Sequence, residues 1–135
     1  MTRNNFTYRI YYEDTDAGGV VYYANYLKFF ERARSEWAVQ LNAGIEWQRA
    51  HHIFFVVHSM QIKFEIPAQL FQSLEVVSRV AKLRRASLIY DQYLRFSDRP
   101  DTILCKAEFK IACVDQQRRP CAIPSSPWHQ LIMET

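Results

Sequence analysis

Glycine is scarce in this chain: three residues in 135, two of them adjacent at Gly18-Gly19 and the third at Gly44. Glycine reaches backbone conformations that other residues resist, so a chain that rations it marks where such geometry is needed. Cysteine is equally sparse. Cys105, Cys113 and Cys121 are odd in number and form no Cys-x-x-Cys pair, which points to reduced thiols in the cytoplasm rather than a disulfide framework. No apolar run approaches the length that crosses a bilayer, so no membrane insertion is expected. Met1-Thr2-Arg3-Asn4-Asn5 lacks the apolar segment of a signal peptide. Linkers and internal repeats are missing too, and residues 1–135 read as a single domain long enough to bury a core. Charge is nearly balanced, 17 Lys+Arg against 14 Asp+Glu for a net +3. That excess is too weak to imply nucleic acid as a partner, but locally clustered it suits an anionic small ligand.

Apolar and aromatic residues are plentiful: 49% of the chain is hydrophobic, with 8 Tyr and 9 Phe, which excludes disorder and favours sheet surfaces and interfaces. Phe6, Tyr8, Ile10 and Tyr12 alternate as on a half-buried strand. From about Tyr23 to Asn42, Leu27, Phe30, Ala33 or Arg34, Trp37 and Leu41 recur near the 3.6-residue period of a helix. Glu31, Arg32, Arg34, Ser35, Glu36 and Gln40 supply its wetter side, and Gly44 fits the left-handed position that closes a helix. Trp47 to His52 adds a further helical turn. Four strand patterns follow. Phe54 to Glu65 is ended by Pro67, and the next strand sets Leu74, Val76, Ser78, Val80 and Lys82 on one face against Val77 and Arg79. Ser87 to Ser97, with Leu88, Tyr90, Gln92, Leu94 and Phe96 alternating against Ile89, Asp91, Tyr93 and Arg95, and Thr102 to Asp115 complete the set, with turns at Asp98–Asp101 and Gln116–Pro120. Pro124 to Glu134 reads as a short terminal helix, Ser126 as N-cap and Pro127 at its first position. Short connections favour antiparallel pairing, so the expected fold is α+β, one long helix against a five-stranded antiparallel sheet. One helix leaves much of such a sheet bare, and its other face or its edge is expected to meet another copy of the chain.

The chemistry-bearing residues crowd into the stretch from Tyr11 to Tyr26. Asp16 stands just before Gly18-Gly19 and a helix start, where free backbone N–H groups and the helix dipole favour negative charge on a carbonyl oxygen. A carboxylate beside such a site is the minimum for acyl transfer, Asp16 acting as nucleophile or as base for water. Asp14, Thr15 and Asp16 are also the residue types that cap a helix and shape its turn, so both readings stand on pattern alone. Neither His nor Lys lies immediately beside the motif to protonate a poor leaving group. A thiol, with a pKa of about 8.5, leaves as thiolate without that help, so a thioester suits this sparse site.

Tyr11-Tyr12-Glu13-Asp14-Thr15-Asp16-Ala17-Gly18-Gly19-Val20-Val21-Tyr22, followed by Asn25-Tyr26 and Phe30-Glu31-Arg32-Ala33-Arg34, resembles the hotdog-fold acyl-CoA thioesterases. The likeness is greatest to the bacterial branch associated with the Tol-Pal system, then to 4-hydroxybenzoyl-CoA thioesterase, and runs from about Tyr8 to Val114. It implies a central helix wrapped by the sheet, dimers whose sheets join, and often a tetramer. It also implies Asp16 as the catalytic carboxylate and the backbone N–H of Tyr23 as the group that polarises the thioester carbonyl. Many Tol-Pal-type members carry His where this chain has Tyr23, so no imidazole role transfers. The 4-hydroxybenzoyl branch has Tyr there, and a backbone donor survives the exchange.

Lys82-Leu83-Arg84-Arg85-Ala86-Ser87 forms a second constellation at the junction of two strands. It reads either as a solvated basic turn or as a grip on the phosphates of coenzyme A. It resembles the Arg-Arg-x-Ser stretch that contacts the nucleotide in the 4-hydroxybenzoyl enzyme. Arg118-Arg119 is a weaker candidate. Glu31, two turns into the helix, reads either as a helper facing the pocket or as a partner of Arg32 or Arg34, with the ion pair as the expectation, and Phe29, Phe30 and Trp37 read as core or interface. His51, His52, His58 and His129, with the cysteines, show no zinc-site spacing, so no metal is expected. The expected function is hydrolysis of a short- to medium-chain or aromatic acyl-CoA, with Asp16 and the Tyr23 amide catalytic and Gly18, Gly19, Lys82, Arg84, Arg85 and Ser87 binding substrate. Coenzyme A comes with the substrate and no other cofactor is required. The expected partners are acyl-CoA, acyl carrier protein and further copies in a homodimer or homotetramer. The rivals are an acyl-CoA or acyl-carrier-protein binding module or scaffold, and a hydratase or dehydratase on the same fold.

Overall fold

The alternating stretches become strands. In the computed structural model, which describes residues 3–128, β1 (Arg3–Arg9), β2 (Phe54–Phe64), β3 (Ser73–Leu83), β4 (Ser87–Phe96) and β5 (Arg99–Val114) form one antiparallel sheet. The strand order is β1-β3-β4-β5-β2. The helix α1 (Asn25–Gln40) and the short α2 (Ile45–Ala50) fall between β1 and β2, which end up on opposite edges. On β4 the alternation is complete: Leu88, Tyr90, Gln92, Leu94 and Phe96 are buried and the residues between them are half-buried. α1 crosses this inner face, burying Tyr26, Phe29, Phe30, Ala33 and Trp37. Full burial of a large apolar side chain is worth about 1.5–3 kcal/mol, so this stripe holds the helix in place. Its ends contribute less, and among the described residues no side chain caps its N-terminus.

A single-residue bulge in each of β2 and β3 decides which of their side chains face the helix. In β2 the pairing with β5 passes from Val57↔Ile111 to Ser59↔Lys110, leaving His58 as the extra residue. Phe55 and Val57 before it, and Met60, Ile62 and Phe64 after it, then share the inner face although their sequence parity differs. In β3 the extra residue is Ala81, between Val80↔Tyr90 and Lys82↔Ile89. That bulge overturns the expectation for Lys82: it lies on the outer face, not with Leu74, Val76, Ser78 and Val80, and Leu83 takes the inner position instead.

Two expectations about α1 are also corrected. Gly44 does not close the helix; its φ is −72° and it stands at the N-cap of α2. Asn42, at φ 56°, takes the left-handed position. Its N–H donates to Val39 C=O at 3.0 Å, and the next N–H, of Ala43, reaches back to Ala38 C=O at 2.8 Å. This is the Schellman arrangement, with Asn in the role glycine usually fills. Arg34, placed on the wet side by its charge, turns inward. Its guanidinium lies 4.2 Å from the Phe109 ring centroid and donates to Gln92 Oε1 at 2.8 Å. Gln92 in turn donates to Ser78 Oγ at 2.8 Å and Phe30 C=O at 3.0 Å, so the polar groups beneath the helix are satisfied.

The two bare regions of the sheet differ. Outward-facing Arg79 and Asp91 form an ion pair at 2.6 Å, and Glu75 pairs with Arg95, so the outer face is polar. The β2 edge is apolar, with Val56, Val57, Met60 and Phe64 about half exposed. At the C-terminus the described part of the expected helix is Ser125–Trp128, with Ser126 extended inside it, and residues through Glu134 lie outside the described residues, as does His129.

Asn42→Val places a β-branched residue in the left-handed region and is expected to lower stability by about 1–2 kcal/mol in urea denaturation. Asn42→Gly is expected to hold or raise it. Gly44→Ala is expected to be close to neutral, because its Cβ meets only Val39 Cγ2 at an ordinary 3.5 Å.

Candidate active site

The stretch from Tyr11 to Tyr26 is a knot of short-range bonds joined to the start of α1. Tyr12–Asp14 make one 3₁₀ turn, whose N-terminus is capped by Asp14 Oδ2 accepting the Tyr11 N–H at 2.9 Å. Thr15 and Val21 bridge across the loop, and Asp16 N–H donates to Val20 C=O at 2.9 Å. Inside that closure Asp16 Oδ1 accepts the Gly18 N–H at 2.8 Å, an Asx turn that orients the carboxylate and leaves its second oxygen without a partner among the described residues. The two glycines have separate reasons to be there. A Cβ on Gly18 would stand 3.2 Å from Asp16 Oδ1, and Gly19 has a φ of +81°.

The Asp14 carbonyl ties this loop to the helix. It accepts the Tyr22 N–H at 3.0 Å and the side-chain amide of Asn25 at 2.9 Å. Asn25 is buried, the first residue of α1. One turn of contacts further on, the Tyr26 hydroxyl accepts the Ala68 N–H at 3.0 Å, and the Val21 N–H donates to Ala68 C=O at 2.8 Å. Asp14, Thr15 and Asp16 therefore do not cap α1. Among the described residues the N–H groups of Tyr23 and Ala24 meet no acceptor, and these are the donors at the positive end of the helix. Asn25 and Tyr26 are positioning residues that pattern reading did not identify. Only their place in the motif marked them, because a buried amide and phenol look like core until their partners are known.

Around this knot the surface is aromatic. Tyr23, about 60% exposed, stands edge-on to Tyr22 with centroids 5.0 Å apart and to Phe64 at 6.1 Å. Phe64 also packs on Tyr26 at 5.7 Å, which puts the end of β2 at the site.

The basic turn is elsewhere. Arg84, Arg85 and Ala86 join β3 to β4, with Lys82, Arg84 and Arg85 exposed, Ser87 half-buried and Arg84 N–H donating to Ser87 C=O at 2.8 Å. The Asp16 loop follows the Arg9 end of β1, which pairs with Ser73, while the basic turn follows Leu83 at the other end of the same strand. Eleven residues of strand at about 3.3 Å each separate them by roughly 30 Å, so one chain does not bring Lys82, Arg84, Arg85 and Ser87 to Asp16, Gly18, Gly19 and Tyr23. Arg118-Arg119 lies at the hairpin tip, where the Asp115 carboxylate accepts the Gln117 and Arg119 N–H groups.

A cavity of about 470 Å³ also sits away from Asp16, between the second half of α1, α2 and the start of β2. Glu31, Arg34, Val39, Phe55, Tyr90 and Trp128 line it. Its wall is mostly apolar with one cation and one carboxylate. Burial lowers the Arg34 pKa from its ordinary value and pushes the Tyr90 phenol up to about 12, so Tyr90 stays neutral. Glu31 makes no salt bridge with Arg32 or Arg34 among the described residues, contrary to expectation. It accepts the Ser35 hydroxyl at 2.9 Å on the cavity wall.

Comparison with known proteins adds a family. Residues 11–131 match the thioesterase-like superfamily. The chain is 41% identical over 128 residues to the acyl-CoA thioesterase YbgC of Haemophilus influenzae, covering 92% of each. It is 40% identical over 119 residues to the acyl-CoA thioester hydrolase YbgC of Escherichia coli O6:H1, covering 87% of each. A probable thioesterase from Bartonella henselae superposes with a TM-score of 0.76 at 36% identity, over 90% of this chain and 98% of that one.

Asn25→Ala removes one of the two donors on the Asp14 carbonyl. The expected loss is about 1 kcal/mol in stability, with faster hydrogen exchange at the Tyr22 amide than at amides of β4.

Proposed function

The chain belongs to the thioesterase-like superfamily, and from that premise we propose that it is an acyl-CoA thioesterase with Asp16 as its catalytic carboxylate. The observation that carries the site is one arrangement. An exposed carboxylate is oriented by the Gly18 amide, in a loop bonded through Asp14 to a helix start whose Tyr23 and Ala24 N–H groups are unengaged. In the reaction the thioester carbonyl oxygen accepts from the Tyr23 N–H, which stabilises the negative charge that develops there. Asp16 either attacks the carbonyl carbon, giving an acyl anhydride that water cleaves, or takes a proton from water as it attacks. Coenzyme A departs as thiolate, which explains why no general acid accompanies the motif. No further cofactor takes part.

The functional unit we propose is a homodimer joined through β2, or a homotetramer built from two such dimers. An antiparallel pairing of two β2 edges about their midpoint covers Val57 and Met60. It also brings the Phe64 end of one strand to the Phe54 end of its partner. The Asp16 loop of one subunit then faces the basic turn and the 470 Å³ cavity of the other, which lie at the Phe54 end. Lys82, Arg84 and Arg85 would hold the phosphates of coenzyme A, beside Ser87, with Gly18 and Gly19 letting the thioester approach the backbone. The cavity volume suits a short- to medium-chain or aromatic acyl group. Acyl carrier protein is an alternative carrier for the same thioester.

The hydratase reading needs an imidazole beside the carboxylate. His51 stacks on Trp47, with ring centroids 4.0 Å apart, and bonds its carbonyl, while His52 bonds Gln116, so neither supports that reading.

In a panel of acyl-CoA substrates, Asp16→Asn is expected to lower kcat by about 10²–10⁴-fold on the best substrate, with coenzyme A release read by thiol titration. Full activity in that variant rejects the mechanism, and tight binding of acyl-CoA without thiol release favours the binding module. Single turnover in heavy-oxygen water bears on the two roles: label in Asp16 shows an anhydride cleaved at the Asp16 carbonyl, whereas activation of water by Asp16 labels only the product acid. Met60→Lys puts a charge on the β2 edge. It is expected to yield monomers in sedimentation and a large fall in kcat/KM; a fully active monomer would reject the two-subunit site.

A further inference from the structure

Two thiols meet where β4 gives out beside β5. The returning chain at 120–123 occupies the space next to the end of β5: Val114 and Pro120 bridge, and Cys121 N–H donates to Cys113 C=O at 3.0 Å. Ile123 N–H then donates to Arg85 C=O at 2.7 Å. This register sets Cys113 and Cys121 directly opposite each other, with their sulfurs 3.6 Å apart. Cross-strand Cα atoms in an antiparallel pair stand about 4.5–5.5 Å apart, within the span of about 4.4–6.8 Å that a disulfide bridges. The sulfurs can therefore close on each other with the backbone in place. Cys105, eight residues back along β5 and buried, is out of reach of both.

The two thiols differ in accessibility. Cys113 is buried, and burial, followed by its contact with Cys121, pushes its thiol up to about 12. Cys121 is only half-buried and is the one a small oxidant reaches first.

We propose that Cys113 and Cys121 form a reversible redox pair, converted by hydroperoxides to an intramolecular disulfide and restored by thiol reductants. The Cys121 sulfur gives up its proton and attacks the peroxide; the O–O bond breaks, and the departing oxygen takes the proton, leaving a sulfenic acid. The Cys113 sulfur then attacks the Cys121 sulfur, the S–O bond breaks, and the Cys113 proton leaves with that oxygen as water. Two thiols are oxidised and one hydroperoxide is reduced. The bond fastens to β5 the segment that leads to Trp128, whose ring packs on Phe55 at 4.6 Å and on Trp47 at 6.0 Å over the cavity. Oxidation thus holds that wall of the cavity in place. The chemistry stands apart from Asp16 and does not depend on the catalytic proposal.

The test uses the full chain treated with hydrogen peroxide and assayed for thiols in denaturant. The expected result is a fall from three thiols to one, a mass loss of about 2 Da and full recovery with dithiothreitol. Trypsin cuts between Arg118 and Arg119, so the oxidised chain should release peptides 111–118 and 119–135 as one linked species. Cys105→Ser should still form the link and fall from two thiols to none, whereas Cys121→Ser should form no intramolecular link. The Ile123 amide should exchange at least tenfold more slowly in the disulfide form. Three thiols surviving, Cys121 carried to the sulfinic acid, or links only between chains would overturn the pair. Unchanged exchange at Ile123 would overturn the fastening of the segment.

Discussion

A five-stranded sheet is wider than the helix that must cover it. Strands about 4.8 Å apart make a surface more than 20 Å across, while a helix with its side chains is about 10 Å wide. α1 covers the centre of the sheet, where Leu74, Val76, Leu88, Leu94 and Phe109 are buried, and the shortfall falls on β2. Its inner row, Phe55, Val57, Met60, Ile62 and Phe64, would be core if the helix reached it. That row gives the chain an apolar edge, one wall of a cavity and an aromatic neighbour for Tyr23. The outer face, with its Arg79–Asp91 and Glu75–Arg95 pairs, offers no comparable surface.

The same geometry explains why the candidate site is divided. The acidic loop and the basic turn are set at opposite ends of β3 by strand direction alone. Within the acidic loop the order is tight: a carbonyl shared by Tyr22 and Asn25 fixes the loop to the helix, and an Asx turn fixes the carboxylate within the loop. Exposed groups are therefore held by buried ones. Inward-turned Arg34 shows the same economy on the cavity side, where Gln92 Oε1 and the Phe109 ring receive its guanidinium.

Much of this was legible in advance because it follows local rules. Alternation placed β4 with all five inner residues correct, and the helical period found α1 to within two residues at each end. The motif around Asp16 carried its family in its residues. The misses have one kind of cause. Gly44 was the better left-handed candidate by type, but Asn42 stands where the last carbonyls of α1 need donors. Arg34 was assigned to water by its charge, yet Gln92 and the Phe109 face lie beneath it. Lys82 changed faces at a bulge that no alternation reveals, and Glu31 found a serine in place of an arginine.

By itself the sequence determined the α+β layering, the antiparallel order of β3 to β5, the loop that presents Asp16 and the family. Those features depend on spacing, turn length and residue type, which act between neighbours in the chain. The tertiary structure decided the phase of β2 and β3 across their bulges, the closure of α1 at Asn42 and the separation of the basic turn from the carboxylate. It also decided the meeting of Cys113 with Cys121. The bulges and the separation arise from pairing between strands, and the Asn42 and Cys113–Cys121 contacts, though close in sequence, form only where the end of α1 and the end of β5 are fixed.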